Sequence, residues 1–189
     1  MQPTVRLSAL DAAAVLARGG VVAYPTEGVW GLGCDPFDAR AVQRVLDIKQ
    51  RPVDKGVILV AGERAQLDRI IDWARLTPAR REAVFASWPG PNTWVVPARD
   101  DVPAWITGAR TSVAVRVSAH PDVRALCAAF AGALVSTSAN LSGQPAAARF
   151  DQLDRQLLIQ VDGILTGETG GRVQPSTIRD AVTGALLRA

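Results

Sequence analysis

The chain has 189 residues, of which 48% are hydrophobic and 21% are charged, and it carries a formal net charge of +3. This composition can fill a sizeable core, which excludes a disordered or low-complexity protein. The mild positive charge and an isoelectric point near 9.4 favour anionic partners such as nucleotides or RNA without demanding them.

Composition also argues against a metal protein and a secreted one. Cys34 and Cys127 stand alone beside a single histidine, which excludes a zinc site and a disulfide framework and predicts a reducing compartment. Residues 1–10 lack the pattern of a signal peptide, so we expect a cytoplasmic protein. The uncharged run 125–148 is long enough to cross a bilayer, but small polar residues, glycine and proline crowd its second half, so we expect buried interior leading into a polar site and no membrane span. No linker is evident, and one domain over 1–189 is predicted.

The first third of the chain alternates helix and strand. Ser8 begins a helix whose predicted apolar face is formed by Leu10, Ala13, Ala14 and Leu16. A short strand over 21–24 follows, and then a turn segment with three glycines in six positions, which indicates a sharp turn or a close approach to a ligand.

The second helix carries cations at its end. Asp38 caps it, Pro52 ends it, and Lys49 and Arg51 lie at its last turn and just beyond. A buried strand over 57–60 follows, so strand, helix and strand alternate as in a mixed α/β fold.

The middle of the chain is predicted to hold two amphipathic helices within 63–87, the second capped by Thr77, and then β-prone runs at 93–96, 104–106 and 113–117. Arg116 lies on a strand face there, so it is either paired or used.

In the last third, His120 begins a helix and is more typical of a helix start than of a catalyst. A buried strand over 133–135 leads into the run Ser136-Thr137-Ser138-Ala139-Asn140, at the edge of the sheet where open α/β folds place ligands. Taken alone, this run is either an ordinary polar turn or a set of hydrogen-bond donors. A helix near 150–158, a strand over 161–165, a glycine-rich loop over 167–171 that we expect to be mobile, and strands around 177–178 and 186–187 complete the chain.

The basic residues are unevenly divided between the two types. Of 21, nineteen are arginine, and lysine occurs only as Lys49 and Lys55. An ammonium is a compact point charge, whereas a guanidinium is a planar fork, so two lysines flanking Arg51 predict an anion site for phosphates. The alternative is a solvated helix end whose cations complement the helix dipole, and it explains Lys49 but not Lys55.

Familiar catalytic motifs are absent: no phosphate loop of the GxxxxGK[ST] type, no GxGxxG after the first strand, no GxSxG and no HExxH. One histidine at a helix start is a poor base for a nucleophilic serine or cysteine. Cations, hydroxyl groups and glycine-rich backbone remain, and these suit the binding of a polyanion and the stabilisation of charge that builds on it.

Seven segments resemble, in their order, the motifs of the YrdC-like family, and most closely its short bacterial form, the threonylcarbamoyl-AMP synthases. The segments are Tyr24-Pro25-Thr26-Glu27, Gly31-Leu32-Gly33, Lys49-Gln50-Arg51-Pro52, Trp88-Pro89-Gly90-Pro91-Asn92-Thr93, Val113-Ala114-Val115-Arg116-Val117, Ser136-Thr137-Ser138-Ala139-Asn140-Leu141-Ser142-Gly143 and Pro175-Ser176-Thr177-Ile178. The resemblance runs from about residue 8 to residue 189. It implies an α/β fold, a twisted mixed β-sheet flanked by helices with a large concave cavity.

The same resemblance implies an activity. L-threonine, bicarbonate and ATP would give threonylcarbamoyl-AMP and pyrophosphate, with Mg²⁺ carried by the ATP phosphates. Partner proteins would load the product onto the adenosine beside the anticodon of tRNAs that read ANN codons. A basic cavity would permit contact with tRNA or double-stranded RNA, and we expect a monomer.

Residue roles follow from the same motifs. The catalytic set implied is Lys49, Arg51, Ser138 and Asn140. The ATP contacts implied are Arg51, Lys55, Ser112, Ser138, Asn140, Ala146 and Arg188, and the threonine contacts implied are Gly28, Arg116, Ser136 and Ser176. No protein ligand for a metal is expected.

Three positions depart from the family's pattern. Gly28 stands where many relatives have a threonine, Val60 where the long form has a histidine, and Lys55-Gly56 where it has Asn-Pro. These differences concern the threonine contacts and leave the predicted phosphate site intact.

Two alternative functions fit the sequence less well. An RNA-binding module for tRNA or ribosome maturation would use exposed aromatic residues beside basic ones, whereas the five tryptophans lie among apolar or turn residues. A carbamoyl-transfer module of the hydrogenase-maturation type would bring zinc-binding cysteines, which this chain lacks.

Overall fold

The computed structural model describes residues 5–172 and 176–188. It has a mixed α/β fold with two mixed β-sheets flanked by helices, which confirms the predicted class and divides the strands between two sheets. Pro175, part of the last motif, lies outside the described residues.

The helices and strands alternate along most of the chain. The strands are β1 (Arg6–Leu7), β2 (Val22–Pro25), β3 (Trp30–Gly33), β4 (Ile58–Ala61), β5 (Asn92–Pro97), β6 (Ser112–Val117), β7 (Leu134–Val135), β8 (Thr137–Ser138), β9 (Gly163–Leu165), β10 (Thr177–Asp180) and β11 (Leu186–Arg188). The helices are α1 (Ala9–Ala17), α2 (Ala39–Ile48), α3 (Pro78–Ala86), α4 (Ala104–Thr107), α5 (Pro121–Phe130) and α6 (Arg155–Leu158), with 3₁₀ turns at Val53–Lys55, Arg64–Leu67, Trp73–Arg75 and Phe150–Gln152.

The first sheet, sheet A, has the order β1-β9-β2-β3-β8, and the second, sheet B, has the order β11-β10-β5-β6-β4-β7. In sheet A, β2 and β3 form an antiparallel pair around the turn at 26–29. In sheet B, β4 and β6 run parallel, with Val60 opposite Arg116. The functional motifs therefore come from both sheets.

The chain passes from sheet B to sheet A between β7 and β8. Val135 N donates to Cys34 O beside sheet A (3.0 Å), and Ser136 N donates to Ile58 O of sheet B (2.8 Å). One residue later, β8 pairs antiparallel with β3. Residues 134–140, called here the junction segment, therefore hold the two sheets together.

Two glycines of β3 are explained by packing against the ring of Tyr24. A Cβ on Gly33 would lie 2.6 Å from Tyr24 Cε1 and 2.8 Å from Val135 O. A Cβ on Gly31 would lie 3.3 Å from Tyr24 Cζ. Gly33 admits no side chain because the ring and the junction backbone fill that space.

Most of the predicted helices are confirmed. Ser8 and Asp38 cap α1 and α2 through their side chains, and Thr77 caps α3. The face predicted for α2 is fully buried. The face predicted for α1 is wrong, because Leu10 is 74% exposed and Ala14 is also exposed, while Ala12, Ala13 and Leu16 are buried.

Three other predictions are wrong. The first helix expected within 63–87 is replaced by two 3₁₀ turns. The helix expected near 150–158 is a 3₁₀ turn at Phe150–Gln152 followed by the short helix α6. Residues 104–106, predicted as a strand, form the short helix α4, whose Ile106 O accepts from Val57 N (3.0 Å) and so joins α4 to the start of β4. A three-residue apolar run does not distinguish helix from strand.

Within the described residues the core forms two clusters, and successive residues along β2 and β4 belong to different clusters. The larger contains Trp30, Trp94 and Cys34, and the smaller, under α1 and α5, contains Tyr24 and Cys127. Trp73, Trp88 and Trp105 pack against the larger cluster, which confirms the prediction that the tryptophans serve packing. Over the described ranges, no helix is both long and apolar enough for a membrane crossing.

Replacement of a core leucine is expected to cost far more than replacement of an exposed one. Leu59 of β4 is completely buried, so Leu59→Ala should lower the free energy of unfolding by about 2–5 kcal/mol through lost burial and a residual cavity. The matched control Leu10→Ala should change it by less than about 0.5 kcal/mol. Urea unfolding followed by circular dichroism measures both, and equal effects would contradict the packing described here.

Candidate functional site

The candidate site is built around the end of α2. Arg51 N donates to Leu46 O (2.9 Å) and Gln50 N donates to Asp47 O (3.0 Å), which is the hydrogen-bond pattern of a Schellman ending. Gln50 occupies the left-handed region with φ of 46°, a position that glycine usually fills. Lys49 and Arg51 thus leave the helix on either side of a tight reversal.

Lys49 joins α2 to the junction segment. Its Nζ donates to Ser138 O (2.9 Å), Asn140 O (2.7 Å) and Asn140 Oδ1 (2.7 Å), and Ser138 Oγ lies at 3.4 Å. An ammonium has three protons, so these oxygens use its full donor capacity. The contacts span about 90 residues of sequence and bring Lys49, Ser138 and Asn140 together.

The charge of Lys49 is held in a half-buried position. Burial, and then the positive charge of Arg51, lower the pKa of Lys49 from its usual 10.5 to about 8. The surrounding oxygens act in the opposite sense because they stabilise the ammonium. Lys49 is therefore a cation whose protonation responds to a modest rise in pH.

Ser138 and Asn140 form a linked pair. Ser138 Oγ donates to Asn140 Oδ1, and Asn140 Nδ2 donates to Leu141 O and to Gln144 O. The amide therefore connects the lysine to the following loop, which carries Ala146. That loop is fixed in turn to sheet A, because Trp30 N donates to Ala147 O (2.7 Å).

Arg51 lies beside Lys49, but its hydrogen bonds go to the backbone of residues 55 and 56. Arg51 Nε donates to Gly56 O (3.2 Å), and both Arg51 and Arg110 donate to Lys55 O. The side chain of Lys55 is exposed. The three predicted cations thus lie around one short stretch of chain, with Arg110 as an addition that the motifs did not indicate.

A cavity of about 40 Å³ lies between α2 and the junction segment. It has room for a few water molecules only. Its polar lining comes from Lys49, Arg51, Ser136 and Thr137, and its remaining lining from Val45, Leu46, Val57, Ile58 and Val135. Two of the predicted phosphate residues, Lys49 and Arg51, therefore line the same space as the predicted threonine residue Ser136.

Arg116 is paired with an acid. Its Nη1 lies 3.4 Å from Glu27 Oε2, and the two side chains are 13% and 15% exposed. Burial raises the pKa of the neighbouring Tyr24 well above its usual range, against the opposing effects of a hydrogen bond with Ser136 and the charge of Arg116. The Tyr24 hydroxyl donates to Val135 O (3.5 Å), on the backbone just before Ser136.

Ser176 joins this group through Thr93. Thr93 Oγ1 donates to Ser176 Oγ (3.0 Å), and Arg188 Nη2 donates to Ser176 O (2.9 Å). Trp94 of β5 pairs with Val115 of the antiparallel strand β6, one residue before Arg116. Ser176 lies just before β10, so the predicted threonine residues Arg116 and Ser176 belong to, or directly precede, the two strands on either side of β5.

The other predicted residues are placed at the edges of the site. Ser112 begins β6 opposite Pro97, four residues before Arg116. Ala146 is exposed in the loop after Asn140. Gly28 lies in the turn between β2 and β3, where a Cβ would come within 2.7 Å of Arg172 O, so a threonine at this position requires a shift of the backbone around residue 172.

Three further residues, Glu27, Tyr24 and Thr93, lie within the motifs, but the sequence predicted no role for them. Their positions follow from contacts between sheets and strands, which spacing does not reveal. The only available signal was that a strand-face arginine needs a partner. Among the residues the structure describes, no group of three or more His, Cys, Asp or Glu side chains is arranged to hold a metal.

Comparison with known proteins places this site in a family. The Sua5/YciO/YrdC family model, described as telomere recombination, matches residues 14–189. A threonylcarbamoyl-AMP synthase of Stenotrophomonas maltophilia (strain K279a) is 56% identical over 179 residues, which cover 95% of this chain and 96% of that protein. One from Xanthomonas campestris pv. campestris (strain B100) is 57% identical over 180 residues, with the same coverage.

Solved structures agree with this result. Sua5 of P. abyssi complexed with L-threonine has a TM-score of 0.82 and 32% identity over 93% of this chain and 53% of its own. This chain thus spans about half the length of that one. YciO of E. coli, at 22% identity, shares the fold with a TM-score of 0.81 over 100% of this chain and 98% of its own. The chain belongs to the Sua5/YciO/YrdC family.

Proposed function

We propose that the protein is a threonylcarbamoyl-AMP synthase that converts L-threonine, bicarbonate and ATP into L-threonylcarbamoyladenylate and pyrophosphate. The observation that carries this proposal is the identity of 56–57% to proteins of that name over 95% of the chain. The solved relative that binds L-threonine supports the substrate. The enzyme is a nucleotidyltransferase.

The reaction requires positive charge near the phosphates more than it requires a general base. The amine of threonine takes up the carbon of bicarbonate with loss of water and gives a carbamate. A carbamate oxygen then attacks the α-phosphorus of ATP, the bond to the β-phosphate oxygen breaks, and pyrophosphate leaves. Because the nucleophile is already an anion, the protein contributes mainly position and positive charge.

The cations around α2 suit the phosphates. We assign Lys49 and Arg51, with Lys55 beside them, to the triphosphate, and Ser138 and Asn140 to its surroundings. A phosphate oxygen that binds Lys49 directly has to replace one of the oxygens now bound to its ammonium. Otherwise Lys49 acts through its charge while it holds the junction segment in place. Ser112, Ala146 and Arg188 are proposed as further nucleotide contacts.

Threonine is assigned to the neighbouring group. Arg116 would bind its carboxylate, where a guanidinium can bind two oxygens at once. Ser136, Ser176 and the backbone at Gly28 would complete the subsite. Thr93, which donates to Ser176 Oγ, would fix the orientation of that hydroxyl.

Magnesium fits this site as part of the nucleotide substrate. The polar groups around the cavity are cations, hydroxyls and an amide, and they provide no carboxylate ligand. Such a set favours an ion that arrives on ATP with its phosphate ligands and waters.

The cellular setting is part of the same proposal. The chain would act in the cytoplasm as a single-domain monomer over 1–189 and pass its adenylate to partner proteins that modify tRNAs reading ANN codons. Contact with tRNA or double-stranded RNA through the basic surface is compatible with this role. An RNA-binding module without catalysis gains no support, because the tryptophans are buried or pack against the core.

The substrate requirement tests the proposal. Purified protein should release pyrophosphate from ATP only when L-threonine and bicarbonate are both present, and mass spectrometry should detect the mixed anhydride. Each substrate is left out in turn as its own control. Release of pyrophosphate from ATP at the same rate without threonine or without bicarbonate would contradict the proposal.

Loss of the Lys49 charge is expected to reduce turnover strongly. Lys49→Met keeps the length of the side chain but removes the ammonium, so kcat should fall by about 10²–10³-fold, as when one charge-stabilising donor is removed. The melting temperature shows whether the variant is folded. A folded variant with an unchanged kcat would remove Lys49 from the site.

The lowered pKa of Lys49 predicts a pH dependence of ATP binding. The free protein loses the Lys49 proton as the pH rises through about 8, while bound phosphates retain it, so ATP affinity should fall up to tenfold per pH unit above that value. Calorimetric titration with ATP in the absence of threonine measures this. In Lys49→Met the decline should disappear, and identical profiles in both proteins would refute the assignment.

A further inference from the structure

Glu27 is an acid at the proposed threonine side of the site, and it is held from the opposite sheet. It lies in the turn between β2 and β3 of sheet A. Its Oε1 accepts from Ser118 Oγ (2.8 Å) and from Ala119 N (3.2 Å), just after β6 of sheet B. Ser118 Oγ itself accepts from His120 N (3.1 Å). This chain of donors fixes the direction of the carboxylate.

The second oxygen of Glu27 lacks a donor. Glu27 Oε2 is buried and forms no hydrogen bond within residues 5–172 and 176–188. Its nearest cation, Arg116 Nη1, lies at 3.4 Å, whereas charge-assisted hydrogen bonds measure about 2.7–2.9 Å. An unsatisfied buried carboxylate oxygen is costly and requires an explanation.

Arg116 has donors to spare. A guanidinium carries five N–H groups. The ion pair with Glu27 is the only polar contact of the Arg116 side chain found in the described part of the chain. The Glu27 carboxylate therefore lacks a hydrogen-bond donor and the Arg116 guanidinium lacks acceptors. These two mostly buried groups lie next to each other.

We propose that Glu27 and Arg116 together recognise the α-amino acid group of L-threonine, with Arg116 holding the carboxylate and Glu27 Oε2 accepting an N–H from the amino group. This inference rests on the proposed function. An amino acid bears both groups on one carbon atom, so it presents opposite charges at the short spacing that separates the free oxygen of Glu27 from Arg116. One ligand would complete both partners.

The contact of Glu27 with the amino group would affect the reaction as well as the affinity for threonine. The amino nitrogen held by Glu27 is the atom that becomes the carbamate nitrogen, so its orientation decides where the new carboxylate oxygens lie. Glu27 would also select for substrate, because a hydroxy acid without an amino group leaves Oε2 unsatisfied.

The variant Glu27→Gln isolates this contact. Its amide oxygen can still accept from Ser118 and Ala119, which places the NH₂ group where Oε2 lies now and replaces an acceptor with a donor. The KM for L-threonine should rise about 10- to 100-fold, the range for a hydrogen bond to a charged group, while the KM for ATP should stay unchanged. Glu82→Gln makes the same chemical change on an exposed part of α3 and should alter neither.

A second ligand separates recognition from simple support of the loop. (R)-3-hydroxybutyrate keeps the carboxylate and hydroxyl of L-threonine but lacks the amino group. Measured as a competitor of threonine, its inhibition constant should be the same in the wild type and in Glu27→Gln. If Glu27→Gln does not fold, Glu27→Asp, which withdraws the carboxylate by one methylene group, is tested in the same way.

The possible failures are distinguishable. An unchanged threonine KM, or equal weakening of threonine and (R)-3-hydroxybutyrate, would overturn the role of Glu27 while leaving the enzyme's activity established. A wild-type protein that forms no adenylate from threonine would instead overturn the proposed function.

Discussion

One ammonium group joins helix α2 to the segment that connects the two sheets, at the place where ligands are expected to bind. Lys49 leaves the end of α2 and binds backbone and side-chain oxygens of Ser138 and Asn140. The residues just before them cross from sheet B to sheet A, so this contact anchors the end of that crossing to α2. An arginine fork would not fit three converging oxygens in the same way, because its donors lie in one plane. The scarcity of lysine in this chain is consistent with that demand.

The geometry at the helix end follows from the same requirement. α2 stops through a reversal that puts Gln50, which is not a glycine, in the left-handed region. Such a conformation costs about 1–3 kcal/mol and persists where surrounding contacts determine it. Here the reversal separates Lys49 from Arg51 and directs Arg51 toward the backbone at Gly56. Local strain thus accompanies the grouping of cations.

The site combines two kinds of charge. Around α2 and the junction segment the side chains are cationic or neutral, which suits a polyphosphate. Glu27 and Arg116, which come from opposite sheets, form a mostly buried ion pair. A nucleotide and an amino acid have different charge patterns, and the proposed assignment places the nucleotide at the cations and the amino acid at the ion pair.

The fold class, the helix caps and the grouping of Lys49 with Arg51 could be predicted from the sequence alone. These features depend on local chemistry: Asp38 and Thr77 act on their own helices, and Lys49 and Arg51 lie within three residues of each other. The prediction was wrong at 104–106, because a short apolar run fits a helix as well as a strand. It was also wrong for part of the buried face of α1, because packing against other elements determines which residues of that helix are buried. The contact of Lys49 with the junction segment and that of Glu27 with Arg116 became visible in the folded protein alone. Those contacts join residues about 90 positions apart, and their formation depends on how two sheets pack, which no spacing along the chain specifies.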